Sequence, residues 1–266
     1  MNCIVLPKAN FTQTAAQIHN PAQIEHIIKV LGLKVGDVLK IGQLDGNLGT
    51  AIINKIAADT IQLSDVQLDI APPPKLEVTV ILALPRPKVL RRLIMDMTAL
   101  GVRDIVLINS YRTQKSYWQS PMLARMDEFI LEGLQQGVDT VAPTISLQKR
   151  FKPFVEDNLA SLISTSLISK SAVVAHPYSE LSFVQYLQQL ESSSESNASI
   201  KADSVKTILP SVVCIGSEGG WIDYEINLLA AQGCQAVSIG SRILRTEAAV
   251  NVMLGQWLLH SQNSNT

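Results

Sequence analysis

Arg242, Arg245 and Glu247 stand together in the run Gly240-Ser241-Arg242-Ile243-Leu244-Arg245-Thr246-Glu247, directly after a short apolar stretch. A guanidinium is planar and permanently charged, so Arg245 suits stabilisation of negative charge that develops on a reacting group. Glu247 could orient that arginine or accept a proton, and Arg242 could contact a phosphate or the substrate. A second cluster precedes this one at Gly216-Ser217-Glu218-Gly219-Gly220. Three glycines in such a short loop permit backbone conformations and close approaches that a Cβ would block.

Elements on either side hold these loops. Val212–Ile215 is an apolar run of buried-strand size that breaks at Gly216. A helix is expected from Asp223, with Ile226, Leu228, Leu229 and Ala230 on its apolar stripe and Gly233 as its C′ stop. Ala236–Ile239 reads as a second strand, and Ile243 to Leu259 as a long helical pattern. Two parallel strands would thus end in two glycine loops, and ligands of α/β sheets bind outside such carboxyl ends.

The two segments also carry a resemblance. GSEGGWIDYEI is similar to a GPEGG(F)xxxE motif, and SIGSRILRTEAA to an LGxRILRxETA motif. In this order they resemble the 16S rRNA uridine-N3 methyltransferases, the ribosomal RNA small subunit methyltransferase E family of the SPOUT superfamily. The resemblance implies an α/β-knot, a deep trefoil knot in a parallel sheet flanked by helices, with a small N-terminal PUA-like β-barrel. It implies S-adenosylmethionine as cofactor, 16S rRNA in the 30S subunit as substrate, and a homodimer. On these motifs the cofactor residues would be Ile215, Gly216, Ser217, Glu218, Gly219, Gly220, Ile239, Gly240, Arg242, Ile243, Leu244 and Thr246. Ile239 and Leu244 would be apolar walls, and the strand end at His176 a third side. Arg245 and Glu247 would be catalytic, the arginine acting on the uracil oxygens. Ser217 and Ser241 stand where the family has proline, which leaves these loops without a locked φ.

Toward the N-terminus the chain reads as a separate β-rich unit, residues 1–71. Asn20 is a plausible N-cap for a Pro21–Leu31 helix, and Gly36-Asp37 and Asp45-Gly46-Asn47 are turns. Val38–Ile41, Thr50–Ile56, Ile61–Leu63 and Val66–Ile70 are expected strands. HIIKVLGLKVGDVLKIGQLDGN resembles the family's RNA-binding barrel, although MNCIVLP lacks the arginines usual on its first strand. Three consecutive prolines, Pro72 to Pro74, form a stiff spacer, and the catalytic domain is placed at residues 75–266. Within it Glu77–Leu84 and Ile105–Ile108 read as strands, and Val89–Leu100 and Met126–Gln136 as helices.

RNA contacts are sought in basic segments with aromatic neighbours. NSYRTQKSYWQ offers Arg112 and Lys115 for phosphates beside Tyr111, Tyr117 and Trp118 for stacking, and Arg91 and Arg92 lie on the preceding helix. Serine-rich residues 191–206 read as a mobile insertion without chemistry.

Composition bounds the alternatives. The 266 residues are 47% hydrophobic and 17% charged, enough for a globular core. A net charge of −1 means that any RNA surface is local. Cys3, Cys214 and Cys234 show no CxxC spacing and are expected to be buried free thiols. No HExxH, cysteine–histidine cluster, GxxxxGK[ST] or early dinucleotide fingerprint is present, so no metal, P-loop or classical dinucleotide site is expected. No apolar run is long enough for a membrane span, and a cytoplasmic protein is expected. A paralogue with another RNA target, or a non-catalytic RNA-binding assembly factor, are the alternatives to a 16S rRNA methyltransferase.

Overall fold

The computed structural model describes residues 1–166, 169–195 and 209–261. The chain divides into two compact units. One comprises Met1–Pro74, Ile94–Gly101 and Met126–Pro143, and the other Lys75–Leu93, Val102–Arg125 and Thr144 onward.

The first unit is built on β1 (Ile4–Leu6), β2 (Ala16–Ile18), β3 (Val38–Gln43), β4 (Leu48–Ile56) and β5 (Ile61–Ile70). Their order is β1-β3-β4-β5-β2, parallel between β1 and β3 and antiparallel elsewhere. All five strands supply one core, including Ile4, Leu6, Ile18, Ile41, Ile53 and Leu63, so the sheet curls into a nearly closed barrel. Helix α1 (Pro21–Glu25) starts as expected, with Asn20 Oδ1 accepting from Ala22 N at 2.9 Å. It then relaxes into a π-helical turn, His26–Val30.

The two strands expected after Thr60 are one. Asp65 at φ +50° bends β5 without ending it, as a bulge does. The unit also holds Ile94–Ala99 of α2 (Pro87–Ala99) and all of α3 (Met126–Gly137). Here Gly133 permits close helix approach, since a Cβ on it would lie 2.7 Å from Met95 O.

The second unit is a parallel sheet of β6 (Leu76–Ala83), β7 (Val102–Ile108), β8 (Thr144–Gln148), β9 (Ala172–Ala175), β10 (Val212–Ile215) and β11 (Cys234–Val237). Its order is β11-β9-β10-β6-β7-β8, every neighbouring pair parallel. The central strands are mostly apolar, β10 throughout and β6 from Val80 on, and are buried on both faces as parallel sheets require. Late in the chain, β10 lodges between β9 and β6.

Helix α4 (Phe151–Phe154) passes through a π-helical turn, Val155–Leu159, into α5 (Ala160–Ser164). Then come α6 (Phe183–Glu195), α7 (Asp223–Ala231) and α8 (Thr246–Ser261). Of the serine-rich stretch, residues 191–195 are the end of α6, and 196–206 lie outside the described residues.

Two expectations near the site shift. The last strand is Cys234–Val237 and not Ala236–Ile239, because its register on β9 sets Cys234 opposite Ala172 and Val237 opposite Ala175. Ile239 therefore lies in the following loop. Helix α8 begins at Thr246, which leaves Ile243, Leu244 and Arg245 in the loop before it. The three cysteines are free and buried. Contact with the Cys234 thiol, then burial, pushes the Cys214 thiol well above its ordinary range, as befits a core residue.

Candidate active site

A cavity of about 280 Å³ opens at the carboxyl ends of β9, β10 and β11 in the second unit. The segment after β9 contributes His176, Pro177 and Tyr178. The loop after β10 contributes Gly216 to Trp221, and the loop after β11 contributes Ile239, Arg242, Ile243 and Leu244. Arg112 reaches the wall from the loop after β7, and Thr246 and Ala249 from the start of α8. The volume is near the lower end of small-molecule sites, roughly 300–1,000 Å³.

The first glycine loop is held from several sides. Gly220 adopts φ +69°, a conformation that glycine takes without strain. A Cβ on Gly216 would lie 2.9 Å from Gly220 Cα and 3.1 Å from Trp221 N, so the loop folds on itself too tightly for alanine. Glu218 Oε1 accepts from Arg86 N at 3.0 Å and from Arg86 Nε at 3.1 Å. The Arg112 guanidinium donates to Gly219 O, and the Thr246 hydroxyl donates to Gly216 O at 3.4 Å. The Trp221 ring packs on Phe151 with centroids 5.7 Å apart. Two buried polar atoms of this loop, Ser217 Oγ and Trp221 Nε1, have no hydrogen-bond partner among the described residues.

On the facing wall, His176 N donates to Val237 O at 2.9 Å, which fixes the end of β9 against β11. Its ring meets Tyr178 edge to face, with centroids 5.5 Å apart. Burial lowers the His176 pKa from its ordinary value, and the Asp223 carboxylate acts in the opposite direction. A neutral imidazole at neutral pH follows.

Of the sequence-derived cofactor residues, His176, Ile215, Gly216, Ser217, Glu218, Gly219, Gly220, Ile239, Arg242, Ile243, Leu244 and Thr246 line this cavity. Gly240 is not a wall residue; it turns the second loop at φ +138°. Arg245 is exposed between the wall residues Leu244 and Thr246. Glu247 is off the wall, and its carboxylate lies 3.7 Å from Arg92 Nη1. The structure thus joins Arg92 to Glu247, where the sequence had assigned one to RNA and the other to chemistry. Arg112 is on the wall, whereas Lys115 and Arg91 are exposed residues away from it.

Several participants were not singled out beforehand. Pro177 and Tyr178 follow the His176 signal directly, and Trp221 closes the glycine motif. Arg86 carried no signal beyond its place after an apolar strand. Glu225, the last position of the GSEGGWIDYE run, is buried with both oxygens bonded.

A family model described as an RNA methyltransferase domain matches residues 72–258. A ribosomal RNA small subunit methyltransferase E from Synechocystis sp. is 30% identical over 254 residues, covering 94% of this chain and 73% of that protein. The chain belongs to the ribosomal RNA small subunit methyltransferase E family. Another member of this family, from Treponema pallidum, is 28% identical over 226 residues, which cover 84% of this chain and 77% of that protein. A crystal structure of the family's protein from Neisseria gonorrhoeae, bound to S-adenosyl methionine, superposes with a TM-score of 0.65 at 18% identity, over 97% of this chain and 98% of that one. The likeness is one of fold, a parallel sheet flanked by helices with a nearly closed barrel-like sheet before it in the chain. Among the described residues no helix is long and apolar enough to cross a membrane.

Proposed function

We propose that this chain transfers a methyl group from S-adenosylmethionine to N3 of a uridine in 16S rRNA of the small ribosomal subunit. The observation that carries the reading is the cavity itself. Two of its walls are glycine loops, and relatives of this chain are named ribosomal RNA small subunit methyltransferase E.

The residues fit such a cofactor. Backbone groups of Gly216, Gly219 and Gly220 form one wall, and a Cβ on Gly220 would point into open space. Ile215, Ile239 and Leu244 offer apolar surface for a heterocycle, while Ser217 Oγ and Trp221 Nε1 are buried polar atoms still lacking partners among the described residues. When bound, the cofactor supplies an electrophilic methyl group on a sulfonium.

Attack by a uridine N3 needs the loss of a proton and places negative charge on the uracil oxygens. Arg245, exposed at the N-terminal edge of α8, is the group assigned to meet that charge. Arg112 and Arg242, both exposed and both on the cavity wall, would hold phosphate and base at its mouth. Glu247 braces α8 through Arg92, a role that orients Arg245 more directly than it accepts a proton. Most of the catalysis is then positioning and charge stabilisation. The same reading carries a homodimer and a cytoplasmic setting, where ribosomal subunits are its substrate, with the N-terminal barrel as an RNA-binding module.

The test is tritiated methyl transfer to 30S subunits and to naked rRNA lacking the modification, followed by nucleoside analysis. Label in 3-methyluridine at one 16S site is expected. Label in another nucleoside would move the target, and no label despite cofactor binding would overturn the catalytic reading.

A further inference from the structure

Glu225 occupies the third position of α7 and is 2% exposed. Its Oε2 accepts from Ile222 N at 3.0 Å, the local half of a capping box at the helix start. Its Oε1 does something a cap does not require. It accepts from Tyr111 N at 2.7 Å, 114 positions away, in the loop that follows β7.

That loop is stiff and faces the cavity. Ser110 Oγ and Thr113 Oγ1 lie 2.9 Å apart, and Thr113 Oγ1 donates to Leu84 O at 3.2 Å. The next residue after Tyr111 is Arg112, whose side chain packs on Gly219 so closely that a Cβ there would come 2.8 Å from Arg112 Cδ. The glycine loop and the Arg112 loop are therefore fastened at two points, Glu225 to Tyr111 N and Arg112 to Gly219 O.

The chemistry of the fastening demands a carboxylate. Two backbone N–H groups converge on one side chain, and only an ionised Asp or Glu presents two acceptor oxygens. A glutamine would satisfy one donor and turn its own NH₂ toward the other, leaving a buried N–H without a partner. Burying a carboxylate is costly, and a helix cap alone can be made at the surface by a neutral group.

We infer that Glu225 is a positioning residue that couples occupancy of the cofactor loop to the placement of Arg112, and so to RNA binding. The inference rests on the proposed methyl transfer to RNA. A ligand seated on Gly216 to Gly220 fixes the segment leading into Ile222, and Glu225 passes that constraint to Tyr111 N. Coupling of this kind is reciprocal, so RNA would tighten the cofactor by the same factor.

The experiment measures 16S rRNA affinity with and without saturating S-adenosylhomocysteine, which supports binding without turnover, for the unaltered protein and for Glu225→Gln. The expected ratio is at least about fivefold for the unaltered protein and close to one for the variant. Both proteins are compared at saturating cofactor, so a change in the variant's own cofactor affinity does not enter the ratio. Equal ratios in the two proteins, or a ratio of one in both, would overturn the inference. Should Glu225→Gln fail to fold, Glu225→Asp keeps two oxygens but shortens their reach, and the same loss is expected of it. If the unaltered protein labels no RNA in the methyl-transfer assay, the functional reading fails on its own account, independently of this ratio.

Discussion

The two glycine loops of the cavity are built in opposite ways. The loop after β10 is fastened by Arg86, Arg112, Glu225 and Thr246, and Gly216, Ser217 and Trp221 in it are buried. The loop after β11 leaves Ser241, Arg242 and Arg245 exposed, with Ile243 at 71%. One loop is a rigid half that fixes position. The other presents side chains to whatever arrives from solvent. The difference separates binding of a small cofactor, which benefits from preorganisation, from engagement of a large substrate, which completes the site on arrival.

Removing charge from the open loop should have the largest effect. Arg245→Ala is expected to lower kcat by roughly 100-fold or more while leaving cofactor affinity unchanged, in line with loss of one group that stabilises developing negative charge. Methyl-transfer kinetics beside calorimetry would check it. A matching loss of cofactor affinity would mean that the second loop is as preorganised as the first.

A pair of glycine substitutions sharpens the contrast. In Gly216→Ala the new Cβ meets the backbone of Gly220 and Trp221 at 2.9 to 3.1 Å, and the loop must open. Cofactor affinity should fall by about tenfold or more and stability by about 1–3 kcal/mol. Gly240→Ala meets no atom within 4 Å but sits at φ +138°, so its cost is backbone strain of order 1–3 kcal/mol without overlap. Thermal unfolding should therefore register both, whereas calorimetry should register Gly216→Ala much more strongly.

The smallest effect concerns pH. Burial depresses the His176 pKa below its ordinary value of 6.5. The unfolded chain then takes up a proton more readily than the folded one as pH drops through about 6.5. The stability this group contributes is present above that pH and is lost on further acidification through the folded value. A charged imidazole on the wall would also repel a sulfonium. Cofactor affinity is expected to weaken by a few-fold between pH 7.5 and pH 5.5, and His176→Gln should flatten that part of the profile. An unchanged slope in the variant would remove His176 as its cause.

The same contrast governs how much was legible in the sequence. The first loop was readable because its conformation demands glycines at Gly216 and Gly220, and buried strands around it leave apolar runs. The Asn20 helix cap and the turn at Asp45 were readable for similar local reasons. Long-range pairing was less so. Strand β2 has three residues, too few to show alternation, and the end of β11 is set by register on β9 rather than by apolar content. The helical stretch from Phe151 contains Pro153 and a π-helical turn, which blur the period. Glu225 stood in view within the motif, but its second hydrogen bond goes to a residue that no spacing rule could nominate. Arg92 and Glu247 each carry a separate signal in the sequence, and only the fold pairs them.

The position of β10 has a consequence for how the protein is made. This strand fills the middle of the sheet, between β9 and β6, yet it is synthesised after both of these neighbours. Until it inserts, β6 and β9 each keep an open edge, and neither glycine loop has a partner to close on. Non-local pairing of this kind is slow, and unpaired edges are prone to wrong associations. A nascent or truncated chain that stops before Val212 would thus hold a barrel but no pocket, and would compete poorly for either ligand.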